Sequence, residues 1–253
     1  MSALAFAVTL LASCVFGVAA AAAAEVRVLS AGAMKAMVTE LGETFTKETG
    51  HTLTIASDTG GGLKRKVEAG EKADVLIAPD AVMDALAKSN HVVAGTRADI
   101  AKTAIGVAVR AGAPQPDIST VDAFKRALLE ARSIVYLDPA SGATSGIHFA
   151  SVLERLGIAE AVKPKTVLWK GGYAAEALLN GQAELCVHQI SEILPVKGVV
   201  LVGPLPAEIN KVTVYAGSML ASSPTPDAGR AFLAYLARPE FRAKLAAAGL
   251  DYR

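Results

Sequence analysis

The chain has 253 residues, with 25 Lys+Arg against 24 Asp+Glu, so its formal net charge is +1. That balance gives no electrostatic reason to expect nucleic acid or an anionic membrane surface as a partner. With 52% hydrophobic and 19% charged residues the chain is not disordered, and with 5% aromatics its core has to be aliphatic and Ala-rich. The length allows one large domain or two small ones.

The first 24 residues carry no charged side chain, and Leu4 to Val18 forms a long apolar stretch. Ala22-Ala23-Ala24 before Glu25 fits the small-x-small pattern of secretory cleavage, so residues 1–24 are expected to be a signal peptide and the mature protein periplasmic. No Lys or Arg sits near Met1, and the run is also about long enough for an anchor. Leu11-Ala12-Ser13-Cys14 resembles a lipoprotein box, which makes lipidation at Cys14 a minor alternative. After cleavage Cys186 is the single cysteine, so no internal disulfide is expected, and its apolar neighbours give it a packing role.

From Glu25 strand and helix signals alternate. Val26–Leu29 reads as a strand, and Met34, Met37, Val38, Leu41 and Phe45 have helical spacing up to a stop at Gly50. Thr52–Ile55 is the next strand, Leu63–Ala69 a short helix stopped by Gly70, and Asp74–Ala78 a buried strand before a helix opened by Pro79-Asp80. This order predicts an α/β fold with a largely parallel sheet. A second unit follows Ile105–Val109: a helix over Val121–Ala131, a strand over Ile134–Leu137, a helix from Gly146 to Leu156, a strand over Thr166–Trp169, and a helix ending near Leu179. Val67–Gly70 with Asp74–Ile77 is echoed by Leu178–Gly181 with Glu184–Val187, as two similar lobes or any two αβ loops would give. Lys211–Gly217 reads as a strand, and Asp227–Leu236 and Pro239–Ala248 as helices without partner strands. Such a tail could return to the first lobe, so that the chain crosses between lobes near Val107 and near Val214.

Four strands run into turns rich in Gly and hydroxyls: Ser30-Ala31-Gly32, Ser57 to Gly62, Ser141 to Gly146, and Gly171-Gly172-Tyr173. A helix start exposes unpaired N–H groups and a partial positive charge, and Gly lets a ligand approach the backbone. Beyond the carboxyl ends of the strands such turns make an anion site. Enzymatic signatures are weak. There is no Gly-x-Lys-Ser/Thr loop, no Gly-x-Gly-x-x-Gly fingerprint and no short metal-ligand spacing among the four His, so no cofactor or metal is expected. Ser145 and His148 lie one helical turn apart, but no Gly-x-Ser-x-Gly elbow accompanies them. A secreted hydrolase using Ser145 or Ser141 is the rival reading. His188 and Gln189 end a buried strand and either face the cleft or pack.

At Val28–Met34, Leu63–Gly70, Ala73–Ala78 and Gly146–Gly157 the chain resembles the molybdate-binding-protein-like family of ABC-transporter solute-binding proteins. The resemblance implies the type II fold, two Rossmann-like α/β lobes joined by a double-crossing hinge, closing over a small ligand that is then delivered to a membrane permease. On that reading residues 25–106 with 213–253 form one lobe and 107–212 the other, and the protein is a monomer. By resemblance, the hydroxyl donors of molybdate binders fall at Ala33 and in the turn Thr59-Gly60-Gly61-Gly62, and their Tyr falls at Gln189 or His188. Backbone N–H groups near Ser145 and at Gly171 or Gly172 complete the implied set, with Gly32, Ser141, Thr144 and Tyr173 beside them. The usual side-chain donors are thus replaced, while Ser145, Tyr173 and Gln189 add polar reach. The expected ligand is a small organic carboxylate, with a molybdate-like oxyanion as the alternative. Lys64 and Arg65 would add charge if they pointed inward.

Overall fold

A computed structural model describes residues 23–251; the expected leader, apart from Ala23 and Ala24, lies outside the described residues, as does Cys14. β1 (Glu25–Ala31) runs through a 3-10 turn, Gly32–Met34, into α1 (Lys35–Thr49), which Gly50 ends in the left-handed conformation at φ 77°. β2 (Thr52–Asp58), α2 (Gly60–Glu68), β3 (Val75–Pro79) and α3 (Asp80–Lys88) follow. α2 starts on the glycines, earlier than apolar spacing predicts, because Thr59 Oγ1 accepts the Gly62 N–H at 3.0 Å and caps it. β4 (Ala98–Arg110) is far longer than the Ile105–Val109 core of it that the sequence reveals.

The second unit contains α4 (Val121–Glu130), β5 (Ile134–Leu137), α5 (Thr144–Arg155), the one-turn α6 (Ala159–Val162) and β6 (Thr166–Trp169). Next come α7 (Glu176–Leu179), β7 (Leu185–Gln189), the one-turn α8 (Ile190–Ile193) and β8 (Val199–Pro204). α7 is a single turn, because Gly172 (φ 74°) and Gly181 (φ 75°) bound the segment with left-handed backbone. The chain ends with β9 (Val212–Met219), α9 (Pro226–Leu236) and α10 (Arg242–Ala247).

Strands are ordered β2-β1-β3-β9-β4-β7-β5-β6, with β8 also on β4. β2-β1-β3 and β6-β5-β7 are parallel, as βαβ units require. β9 is antiparallel to β3 and β4, and β4 is antiparallel to β7 and β8, so the sheet is mixed where a largely parallel one was expected. The reason is the crossing itself: β4 carries the chain out of one lobe and β9 brings it back. β4 pairs with β9 up to Ala104 and with β7 from Ile105. At that change of partner the Asn210 amide binds both the N–H and the C=O of Ile105, each at 3.1 Å, and so stands in for a missing strand.

Each lobe has its own core. In the first, Phe45 of α1 meets Phe232 and Tyr235 of α9 edge-on at 5.1 and 5.2 Å, which explains why the tail returns there. In the second, Phe149 packs against Tyr136 at 4.9 Å on one face of the sheet, and Cys186 lies among Ala174, Ala177 and Ile193 on the other. Burial pushes the Cys186 thiol well up, in keeping with a packing role. No helix among the described residues is long and apolar enough to cross a membrane.

A buried carboxylate ties the tail to the sheet. Asp74 accepts from the Arg27 N–H at 2.8 Å, the Ser223 hydroxyl at 2.6 Å and the Thr225 N–H at 2.7 Å. Burial raises its pKa, but these donors outweigh it and the net shift is downward. A depressed carboxyl adds stability above its unfolded pKa that is lost as pH falls through the folded one. Asp74→Ala strands three donors and is expected to cost about 3 kcal/mol in urea unfolding at neutral pH.

Candidate ligand site between the lobes

A cavity of about 530 Å³ lies where the carboxyl ends of β1, β2, β5, β6 and β7 meet. Of the residues singled out from sequence, Gly32, Ala33, Thr59, Gly60, Thr144, Ser145, Gly171, Gly172, Tyr173 and Gln189 line it. Gly61, Ser141 and His188 do not. Gly61 and Ser141 lie where the lobes touch. The Gly61 N–H donates to Gly142 O at 3.0 Å, and Thr59 Oγ1 donates to Ser141 O at 2.7 Å. His188 is wholly buried behind the wall. Lys64 pairs with Glu68 at 2.6 Å, and Arg65 reaches Ser141 O at 3.4 Å; neither lines the cavity.

The donors of this cavity are chiefly helix starts. No side chain caps α5, so the first-turn N–H groups of Thr144 and Ser145 lack partners within their own helix and adjoin the cavity. Gly146 allows that placement: a Cβ there would stand 2.0 Å from Leu137 O, so only glycine lets α5 close on the end of β5. The Gly32 turn delivers α1 from the opposite lobe, again without a side-chain cap.

Ser57 and Asp58, from the second Gly-rich turn, also line the wall, and sequence reading missed Lys35, Trp169, Glu176, Glu192 and Tyr215. Lys35 opens α1 one position past the turn, and its ammonium lies 5.9 Å from the centre of the Tyr173 ring across the cavity. Asp58 is already engaged, accepting the Thr59 N–H at 2.7 Å and facing Lys66 at 3.5 Å. Burial raises the Tyr215 phenol well above its ordinary range, so it stays a hydroxyl. The Gln189 amide donates to that hydroxyl at 3.3 Å and to Thr213 at 3.4 Å, while its own oxygen has no partner.

Glu192 is the unexpected member. It is 4% exposed, and burial pushes its carboxyl up to about 8. Its Oε2 lies 3.6 Å from His188 Nδ1, beyond hydrogen-bond length. Burial holds His188 down to about 4, so at neutral pH the pair consists of two neutral groups and not an ion pair.

This cluster does not form a hydrolytic triad. Ser145 Oγ sits 3.4 Å from His188 Nδ1, the same ring nitrogen that faces Glu192, while Nε2 faces Gly172 O at 3.3 Å. A triad needs the nucleophile and the acid on opposite nitrogens. His148, the base imagined beside Ser145, instead binds Ile209 O through Nε2 at 2.8 Å. Ser141 Oγ donates to Asp138 O at 2.7 Å.

The pattern of the family described as bacterial extracellular solute-binding protein matches residues 26–251. The chain belongs to that family. Within it, the chain is 33% identical to a Pseudomonas protein named aconitate isomerase, over 88% of this chain and 86% of that one. It is 30% identical to the molybdate-binding protein ModA of Azotobacter vinelandii, over 69% of this chain and 68% of that one. The solved structure of the periplasmic molybdate-binding protein of Azotobacter vinelandii superposes with a TM-score of 0.76 at 20% identity, covering 90% of this chain and 99% of that one. The likeness establishes the fold: two α/β lobes with a double-crossing hinge. This solute-binding protein is thus molybdate-binding-protein-like in both sequence and fold.

Proposed function

We propose that this protein captures a small polycarboxylate of the aconitate class between its lobes in the periplasm and hands it, as a monomer, to its permease. The observation that carries this reading is the cavity wall. It sets helix-start N–H groups beside the apolar surfaces of Pro79, Leu137 and Trp169, which a carbon skeleton can use and a bare oxyanion cannot. At about 530 Å³ the space also exceeds what one tetrahedral oxyanion fills. The 33% identity to a protein named for acting on aconitate points the same way. Dividing the chain at 106/107 and 212/213 is supported by the change of β4's partners at Ala104 and Ile105. Closure follows because only the closed state brings both sets of donors to one guest.

A second reading, isomerisation of the bound guest, is favoured by the same relative's name and by an acidic group on the wall, Glu192, able to hold or release a proton. Two measurements separate the readings. Trans-aconitate at a hundredfold excess over its Kd is expected to raise Tm by about 5 °C or more. Proton NMR of the same sample then reports turnover: an unchanged spectrum supports capture alone, and growth of cis-aconitate signals supports catalysis. No melting shift with trans-aconitate, citrate or tricarballylate would refute the polycarboxylate reading.

A further inference from the structure

We propose that Glu192 enters the ligand site as a neutral carboxyl and donates its proton in a hydrogen bond to a carboxylate of the guest, so that capture is proton-linked. The inference deepens the polycarboxylate reading and rests on it.

The geometry is unusual for an anion site. Glu192 reaches from α8 across to the other lobe, where its Oε1 lies only 2.6 Å from the place a Cβ on Gly32 would take. Glycine at 32 thus makes room for a carboxyl on the cavity wall. Beyond the 3.6 Å approach of His188, neither oxygen has a hydrogen-bond partner among the described residues. No cation offsets its burial, which is the cause of the upward shift to about 8.

The surroundings hold it there. α8 packs on β4 and β8, and Ile105–Val109 and Val199–Pro204 carry no titratable side chain. β7 presents His188, held neutral, and the buried thiol of Cys186. The turn at Gly32 leads to Lys35, engaged over the Tyr173 ring. Tyr173 and Tyr215 stay protonated, and the remaining carboxylates of the cavity are Asp58 and Glu176. An ionised Glu192 would repel an anionic guest and a neutral one can donate to it, so the guest favours the protonated form. A bound carboxylate accepts such a proton-bearing donor well.

The test is calorimetry of the full protein with trans-aconitate from pH 7 to 9.5, a range above the ordinary titration of the guest's carboxyls. The expected result is a Kd nearly constant to about pH 8 and rising toward tenfold per unit above it. Buffers of different ionisation enthalpy should report uptake of close to one proton per guest at pH 9.5. Glu192→Gln keeps a donor that does not ionise and should bind with no rise and no uptake. Binding by the parent protein with a flat profile, or a Glu192→Gln profile that still rises, overturns the proposal while leaving the ligand reading intact. A ligand-free control reads the neutral state: Glu192→Gln should raise Tm at pH 9 and leave it unchanged at pH 4.5, and equal effects at both overturn the proposal. Absence of trans-aconitate binding at every pH, with that melting difference present, overturns the ligand reading and the hydrogen bond with it.

Discussion

A methyl group added at Gly61 is expected to cost this solute-binding protein its ligand and leave its fold intact. Gly61 lies in the first turn of α2 on one lobe and touches Gly142 on the other, which holds a left-handed φ of 79°. A Cβ on Gly61 would stand 2.7 Å from Gly142 Cα and 3.3 Å from Ser141 O. Both obstacles are backbone, so neither rotates away; the lobes have to part. Parting them stretches the Gly61–Gly142 and Thr59–Ser141 hydrogen bonds, which join the lobes beside Thr59 and Gly60 of the cavity wall. Overpacking of this kind costs about 2 kcal/mol, or roughly thirtyfold in affinity. Within α2 itself alanine is the better helix former, so the ligand-free Tm should hold. Calorimetry of Gly61→Ala checks this; an affinity equal to that of the parent would mean that ligand capture does not need this contact.

Gly146→Ala should act on the fold. Its Cβ would meet Leu137 O at 2.0 Å and the same carbonyl carbon at 2.8 Å, so α5 would have to lift off β5. That movement would open the core around Phe149 and Val152, both fully buried. The expected loss is at least about 3 kcal/mol in urea unfolding. Because Thr144 and Ser145 ride on the same helix start, the folded remainder should also bind more weakly. Unchanged stability would mean that α5 does not depend on this close approach.

The contrast between these two glycines also indicates what the sequence could reveal. Both belong to Gly-rich turns that follow strands, and a turn after a strand is legible from local pattern alone. Whether a turn faces the cavity, like Gly60, or faces the opposite lobe, like Gly61, depends on how two distant segments meet, here residues 61 and 142. β4 was legible only in part for a related reason. Its halves lie in different surroundings, β9 on one side of Ala104 and β7 with β8 beyond it, so no single alternation runs its length. β8 was readable as an apolar run, Val199–Val202, but joins no βαβ unit that would have drawn attention to it.

Glu192 escaped notice because an acidic residue does not suggest an anion site. Its role depends on burial, and burial comes from α8 folding back against the Gly32 turn. Lys35 carried a signal: it directly follows a Gly turn, at the start of a helix. Tyr215 carried none, since β9 joins the site only after the chain has crossed back.

The central claim is that two lobes share one cavity built for a carbon-based polyanion. Its most direct test is a pair of calorimetric titrations at pH 7, one with trans-aconitate and one with molybdate. The account predicts one-to-one saturable heat with trans-aconitate and a far weaker response to molybdate. Tight saturation by molybdate with no heat from trans-aconitate would contradict it.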